Sequence, residues 1–317
     1  MKHVIVGAGP VGSGTAQLLV AAGHEVTVVT RSGNGPEHPG IERVRADAAD
    51  APGLARLAAG AAAIYNCANP PYHRWAAEWP PIAASLLAAA ESSGAVLVTT
   101  SNLYGYGEVS APMTESTPLT AKGMKGWVRN EMWRDALAAH VAGRARVCEA
   151  RASDYFGPGL TATSHMADRV IPNLLAGKPV RLVLGTPDVL HSWTYIDDVA
   201  RTLVVLGTDG RAWGRVWHVP TNPPLTQRQM VGALAAAAGV DVPRVRALPP
   251  FALRSVGIVS PTVRQLQEVR HQFERPFVVD STACSATFGL DATPMDEALR
   301  ATIGWWRRTP TPDRVLV

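Results

Sequence analysis

Residues 1–32 read MKHVIVGAGPVGSGTAQLLVAAGHEVTVVTRS. An apolar run, His3 to Val6, meets the turn Gly7-Ala-Gly9-Pro10-Val11-Gly12, and a helical pattern follows from Thr15 to Ala22. Gly23 stops that pattern and a second apolar run covers Glu25 to Val29. Strand, tight turn, helix, strand is the context in which G-x-G-x-x-G marks a dinucleotide site. Gly7 permits the sharp turn, Gly9 lets the backbone approach a pyrophosphate, and Gly12 lets the helix pack close on the strand. The free N–H groups and the dipole at the helix start, around Pro10 and Val11, favour phosphate charge. The competing reading is a glycine-rich turn in an α/β protein that binds no nucleotide.

The chain around this turn has 317 residues, 47% of them hydrophobic, enough for two domains or one large α/β unit with an appendage. The net charge is +4 and the basic residues are scattered. That argues against nucleic acid as a partner and suits an anionic cofactor. Cys67, Cys148 and Cys284 stand far apart with no metal-ligand spacing, and read as buried thiols in a reducing compartment. No apolar run approaches the length needed to span a membrane. The expectation is a soluble cytoplasmic protein with a small-molecule substrate, no membrane partner and no metal.

Strand candidates recur at Arg43–Arg45, Ala63–Asn66, Val96–Thr99, Arg146–Ala150 and Val216–Val219. Ala-rich helical runs at Pro52–Ala59, Ile82–Ser92 and Val128–Val141 lie between them. This alternation predicts a doubly wound parallel sheet of the Rossmann type. From about Gly157 prolines and arginines rise, with short helices expected at Met166–Leu175 and Gln227–Ala238 and a loop-rich stretch at Pro243–Pro261. A smaller, discontinuous C-terminal domain follows. The expected division gives residues 1–156 and 190–220 to the dinucleotide domain, and 157–189 and 221–317 to the substrate domain.

Further segments fall in order: Asn66-Cys-Ala-Asn69-Pro-Pro, Thr99-Thr-Ser-Asn-Leu-Tyr104-Gly, Arg151-Ala-Ser-Asp-Tyr155-Phe-Gly-Pro158-Gly, His191-Ser-Trp-Thr-Tyr-Ile-Asp197-Asp198, then Phe288-Gly and Leu299 to Trp305. Together with the glycine turn they resemble the extended short-chain dehydrogenase/reductase family, the NAD-dependent epimerase/dehydratase group, over almost the whole chain. The resemblance implies strand-end loops lining the active site, with Asn66, Ala68 and Asn69 on the cofactor side, and a C-terminal domain closing over the substrate. It also implies a homodimer through helices at about Pro81–Ser92 and Val128–Val141.

The second strand runs into Arg31-Ser32, where NAD-binding folds often carry a carboxylate for the ribose hydroxyls. A guanidinium beside a small hydroxyl suits a 2′-phosphate, so NADP is expected ahead of NAD. Alternatively Arg31 stacks on adenine or faces solvent. Asp47, after the third strand, matches the family position at the adenine edge, or serves as a turn cap.

The family moves its substrate proton with a tyrosine in Tyr-x-x-x-Lys. Asn69, Ala76, Glu108, Ser110, Gly159 and Val199 stand four residues after the six tyrosines, so the motif is absent. Spacing alone best fills its two places with Lys125 and Arg129, with Lys122 or Gly123 as the alternative register. Arg129 can hold ribose or phosphate oxygens but cannot shuttle protons. Lys125 acts as acid or base only if its surroundings depress its pKa; otherwise both bind phosphate or face water. Thr100 and Ser101 are hydroxyls for polarising a substrate oxygen, or simply strand-end turn residues. Asp154 and Tyr155 sit at the domain junction, and Tyr155 is the one tyrosine that could replace the missing acid, or is an aromatic kept there for packing, as the resemblance implies. His73, Arg74 and Trp75 lie in a loop that borders the substrate or is merely surface, His165 has the same two readings, Asp197-Asp198 read as a helix cap, and Trp305-Trp306 as packing. No G-x-S-x-G elbow supports a hydrolase. Three functions compete: an NADP(H)-dependent oxidoreductase or epimerase with a non-standard site, a nucleotide-binding regulator, and a non-redox isomerase or cyclase in the same pocket.

Overall fold

The computed structural model describes residues 1–162, 164–247 and 267–309. Seven parallel strands form the main sheet: β1 (Lys2–Val6), β2 (Glu25–Thr30), β3 (Ile41–Arg45), β4 (Ala61–Asn66), β5 (Val96–Ser101), β6 (Arg146–Arg151) and β11 (Arg215–His218). Their order, β11-β6-β5-β4-β1-β2-β3, reverses between β1 and β4. At such a reversal the loops at the carboxyl ends of the strands part and leave a crevice for a ligand.

Helices α2 (Ala51–Ala58), α3 (Trp75–Ser93) and α4 (Met124–Val141) cover one face, burying Leu54, Leu86 and Ala139 against Val4, Ile64 and Leu97. On the other face α1 (Pro10–Ala21) and α6 (Ile196–Thr208) bury Leu19, Val199 and Leu203 against Ile5, Val28 and Val98. The doubly wound sheet expected from the alternation is present.

Boundaries shift where proline acts. Helix α1 begins at Pro10, whose missing N–H costs nothing in the first turn. Helix α5 covers only Ile171–Leu175, not Met166–Leu175, because Pro172 sets its start. Helix α3 begins seven residues before the expected Ile82 and runs through Pro80 and Pro81. Burial of Trp75 and Trp79, 3% and 0% exposed, offsets the interrupted backbone hydrogen bonds. Helix α4 starts at Met124 rather than Val128, with Gly123 as its cap.

A second apolar core gathers Phe156, Ile171, Leu174, Trp193, Met230, Leu234, Phe273, Leu299 and Trp306. It lies between α5, α7 (Gln227–Ala238) and α9 (Met295–Arg308), with short ladders β7 (Asp154–Phe156) with β10 (Trp193–Tyr195), β8 (Val180–Leu182) with β13 (Val245–Ala247), and β9 (Leu190–His191) with β12 (Leu225–Thr226). Of the stretch expected to be loop-rich, Val245–Ala247 is a strand and residues 248–261 lie outside the described ones. Residues 277–290 return to the first core: Val279 bridges Met113, and Phe288, ending α8 (Thr282–Phe288), packs on Trp217 at 4.7 Å. Asp198 does not cap α6. Its carboxylate accepts from the Thr293 N–H at 2.8 Å and hydroxyl at 2.6 Å, because the C-terminal segment crosses the start of the helix.

Candidate active site

The glycine turn separates into three environments. Gly7 has φ +102° and donates its N–H to the Val29 carbonyl at 2.9 Å; a Cβ there would lie 2.5 Å from the Cys67 carbonyl oxygen. A Cβ on Gly12 would lie 2.0 Å from the Gly7 carbonyl oxygen. A Cβ on Gly9 would meet nothing within 4 Å. Two glycines are therefore required by packing, and the third borders open space at the start of α1. Gly9 caps that helix with no side-chain hydrogen bond, and the first turn holds no acidic residue. Backbone donors and helix dipole face the opening unneutralised. The turn thus fits a dinucleotide pyrophosphate.

Beside it, at the β2 and β3 ends, Arg31 is 68% exposed and its Nη1 lies 3.9 Å from Glu78 of α3. Glu78 pairs more closely with Arg74, at 2.8 Å. Thr30 is in register with Arg45, an exposed arginine that the sequence reading passed over. Ser32 Oγ accepts from the Asn34 N–H at 3.3 Å. Asp47 is exposed and its carboxylate accepts from the Ala49 N–H at 3.0 Å, closing its own turn. The Asn66 side chain, 1% exposed, likewise turns back to accept from Ala68 N–H at 3.3 Å, while Asn69 is exposed.

The ends of β4, β5 and β6 surround a buried polar centre. Arg129 is 7% exposed and lies over two indole rings, 4.7 Å from Trp75 and 4.4 Å from Trp79. Its Nε and Nη1 find no hydrogen-bond partner among the described residues. Burial opposes its charge, while Glu149, Tyr155, Tyr104 and Tyr72 favour it. Lys125, one turn earlier, is 1% exposed. Its Nζ stands 4.4 Å over the Tyr72 ring and 3.5 Å from a carboxylate oxygen of Glu268, whose other oxygen accepts from the Lys125 backbone N–H at 2.6 Å. Burial lowers the Lys125 pKa, and Glu268 pulls it back up.

Thr100 is half-buried, its hydroxyl 3.7 Å from the Cys67 thiol, which burial pushes up to about 12. The Ser101 hydroxyl is enclosed with no partner among the described residues. Tyr72, Tyr104 and Tyr155 share the electrostatic environment of Arg129, and burial raises the pKa of all three, so each keeps its proton across the physiological range. Asp154, whose charge reaches the same tyrosines, sits between two imidazoles: His191 Nε2 at 2.7 Å and His165 Nε2 at 3.6 Å.

The structure thus brings Thr100, Lys125, Arg129 and Tyr155 to one region at the strand ends. The sequence reading missed Glu268, Tyr72, Tyr104 and the Asp154–His165–His191 group. Only Asp154 carried a usable signal, its place at the domain junction. No cluster of ligating side chains that could hold a metal exists among the described residues, and no described helix is long and apolar enough to cross a membrane.

With this geometry in hand, comparison with known proteins is informative. A model of the NAD dependent epimerase/dehydratase family matches residues 3–219. The dTDP-glucose 4,6-dehydratase of Streptomyces griseus is 27% identical over 219 residues, 67% of this chain and 58% of that protein. Its counterpart in Streptomyces antibioticus is 28% identical over 228 residues, 66% of this chain and 64% of its own length. The match therefore spans less than two thirds of these curated relatives. Among solved structures, UDP-glucose 4-epimerase of Thermotoga maritima with UDP-glucose superposes with a TM-score of 0.80 at 17% identity, over 97% of this chain and 99% of that one. The dTDP-glucose 4,6-dehydratase of Streptomyces venezuelae with NAD bound gives 0.77 at 23% identity, over 97% of each chain. The chain belongs to the NAD-dependent epimerase/dehydratase family.

Proposed function

We propose that the chain is an NADP(H)-dependent enzyme that removes and returns hydride at a hydroxyl-bearing carbon of a nucleotide-linked sugar, as net oxidation or reduction or within an epimerisation. The observation that carries this reading is the contrast within the glycine turn: Gly7 and Gly12 are fixed by packing, whereas Gly9 opens onto free space at an uncapped helix start. The nucleotide-sugar class is supported by relatives and neighbours named for dTDP-glucose and UDP-glucose or solved in complex with UDP-glucuronic acid.

When bound, the dinucleotide supplies a nicotinamide that accepts hydride. The chain holds the pyrophosphate against the turn Gly9-Pro10-Val11-Gly12, with the Val11 and Gly12 N–H groups as donors and Pro10, which has none, setting the helix start, and Arg129 carries a fixed charge towards the ribose. Asn66 and Asp47 shape the loops on either side. Thr100 offers its hydroxyl to the reacting oxygen, whereas the Ser101 hydroxyl, expected from the sequence to share that role, is enclosed behind it. NADP is favoured over NAD because Arg31 and Arg45 flank the β2 end, where two guanidinium groups suit a phosphate dianion. The neighbours cited above were solved with NAD or a nucleotide sugar, so the phosphate preference belongs to this chain's own residues.

Lys125, turned onto Glu268 and Tyr72, is best read as an anchor for α4 and for the segment carrying Glu268. That engagement favours a second reading, a regulator that binds the dinucleotide without turnover. The domain division at residues 156, 190 and 220 is proposed on the two apolar cores, with Trp193–Ile196 shared with the second core and residues 277–290 returning to the first. Homodimerisation is proposed through α3 and α4: a cavity of about 590 Å³ lined by Pro80, Ala84, Leu87, Trp127 and Met132 opens between them, and Trp127 is 50% exposed. The three free thiols suit the cytoplasm.

Titration with NADPH and NADH tests the cofactor reading. Tighter binding of NADPH is expected; equal affinity would remove the phosphate preference, and no binding of either would overturn the reading. A monomeric mass at micromolar concentration would remove the dimer.

A further inference from the structure

Family chemistry requires a group that takes the proton of a substrate hydroxyl, and Lys125, in the place of the missing tyrosine, is 1% exposed and engaged by Glu268. A different set of titratable groups stands in the wall of the same region. Asp154, in the first position of β7, presents both carboxylate oxygens to imidazoles. Oδ2 is 2.7 Å from His191 Nε2 and Oδ1 is 3.6 Å from His165 Nε2.

The two histidines differ in freedom. His191 is 1% exposed, lies flat on Phe273 with ring centroids 4.5 Å apart, and has Nδ1 3.1 Å from the Gln272 carbonyl. A carbonyl only accepts, so Nδ1 donates there, while Nε2 faces the Asp154 carboxylate. That ring is locked. His165 has 22% of its side chain exposed and meets Phe273 edge-on at 4.6 Å. The Ser164 hydroxyl donates to the Tyr155 carbonyl at 2.7 Å, pinning the His165 segment beside the strand end. Among the described residues no hydrogen bond engages His165 Nδ1. One nitrogen faces a half-buried carboxylate and the other is unengaged among the described residues, the arrangement of an oriented general base.

We propose that His165 is the proton-transfer residue of this site, with Asp154 as its positioning residue and His191 as the rigid support behind the carboxylate. The inference rests on the dinucleotide reading above. In the oxidative direction His165 Nδ1 takes the hydroxyl proton of the substrate. The carbon–hydrogen bond breaks with its electron pair passing as hydride to the oxidised dinucleotide, and the carbon–oxygen bond becomes a carbonyl. The imidazolium that forms is held by Asp154; in the reverse direction the same proton returns to oxygen. The groups acting on His165 are Asp154, which favours its charge, and His191 and Arg169, which oppose it. Burial is the largest influence and lowers its pKa, leaving a neutral ring ready to accept a proton near neutrality.

Two measurements test this. The first needs no turnover: the imidazole nitrogens of the whole protein are followed by NMR against pH. His165 is expected to titrate below the ordinary histidine range, and Asp154→Asn is expected to move it lower still. A His165 midpoint unchanged in Asp154→Asn would overturn the pairing. The second follows formation of bound reduced cofactor when UDP- or dTDP-linked hexoses are added to protein loaded with oxidised cofactor. His165→Gln is expected to slow it by about a hundredfold and to erase the acidic limb of the pH profile, with cofactor affinity kept. His165→Gln at the native rate with the native pH profile would overturn the assignment. If the unmodified protein produces no reduced cofactor with any such sugar, the functional reading falls and the assignment with it, whereas failure of the variant series alone leaves the functional reading standing.

Discussion

The guanidinium carbon of Arg129 lies 4.4 Å above the ring of Trp79, which is 0% exposed. The indole face replaces part of the solvation that a buried cation loses, and it fixes the charge without consuming the N–H groups. Those groups are left for an oxygen-bearing ligand. Arg129→Met is expected to raise the dinucleotide dissociation constant by about ten- to a hundredfold, the worth of hydrogen bonds to a charged group at roughly 1.5–3 kcal/mol. Fluorescence titration with reduced cofactor checks this, and an unchanged constant would show that the charge serves packing alone.

Gly9 and Gly12 separate binding from folding. Gly9→Val places its side chain in open space, so the protein is expected to keep its unfolding midpoint and lose dinucleotide binding. Gly12→Ala drives a Cβ towards the Gly7 carbonyl and is expected to cost about 1–3 kcal/mol or more of stability. Thermal melts with and without cofactor report both. A Gly9→Val protein that binds normally would refute the pyrophosphate placement.

Arg31 and Arg45 bear on cofactor choice. Arg31→Asp is expected to weaken NADP binding by roughly 2–3 kcal/mol and NAD binding much less. Arg45→Ala is expected to act in the same direction with smaller effect. Equal losses for the two cofactors would take both arginines out of the phosphate role.

His3 supplies a pH dependence unconnected with catalysis. It is fully buried in β1, its Nδ1 3.3 Å from the Tyr65 hydroxyl, and burial first, then the charges of His24 and the N-terminus, lowers its pKa from 6.5 to about 4. The unfolded chain takes up this proton near pH 6.5 and the folded chain only near pH 4. Folding therefore releases a proton between those values, and stability falls as pH drops from 6.5 towards 4 and is level above. Denaturant unfolding over that window is expected to show the slope, and His3→Phe to flatten it. An unaltered slope in His3→Phe would assign it elsewhere.

What was legible in the sequence was local. The strand, turn and helix of residues 1–32 are neighbours along the chain, so periodicity and glycine spacing report them directly. Lys125 and Arg129 were placed by spacing within one helix. Their partners were not legible: Glu268 reaches Lys125 across 143 residues, and Asp154 finds His191 across 37. Burial of Trp75 and Trp79 carries α3 through Pro80 and Pro81 to a start seven residues before the expected Ile82. Such contacts are decided by how the second core packs on the first sheet, which no local period encodes.

The central claim is that this family member transfers hydride without Tyr-x-x-x-Lys. The most direct measurement is the near-ultraviolet absorbance of reduced nicotinamide when UDP- and dTDP-linked hexoses are added to the protein loaded with oxidised cofactor. The account predicts reduced cofactor with at least one sugar, and none in Gly9→Val. Tight cofactor binding with no reduction by any of these sugars, in either cofactor form, would contradict it and identify a nucleotide-binding regulator.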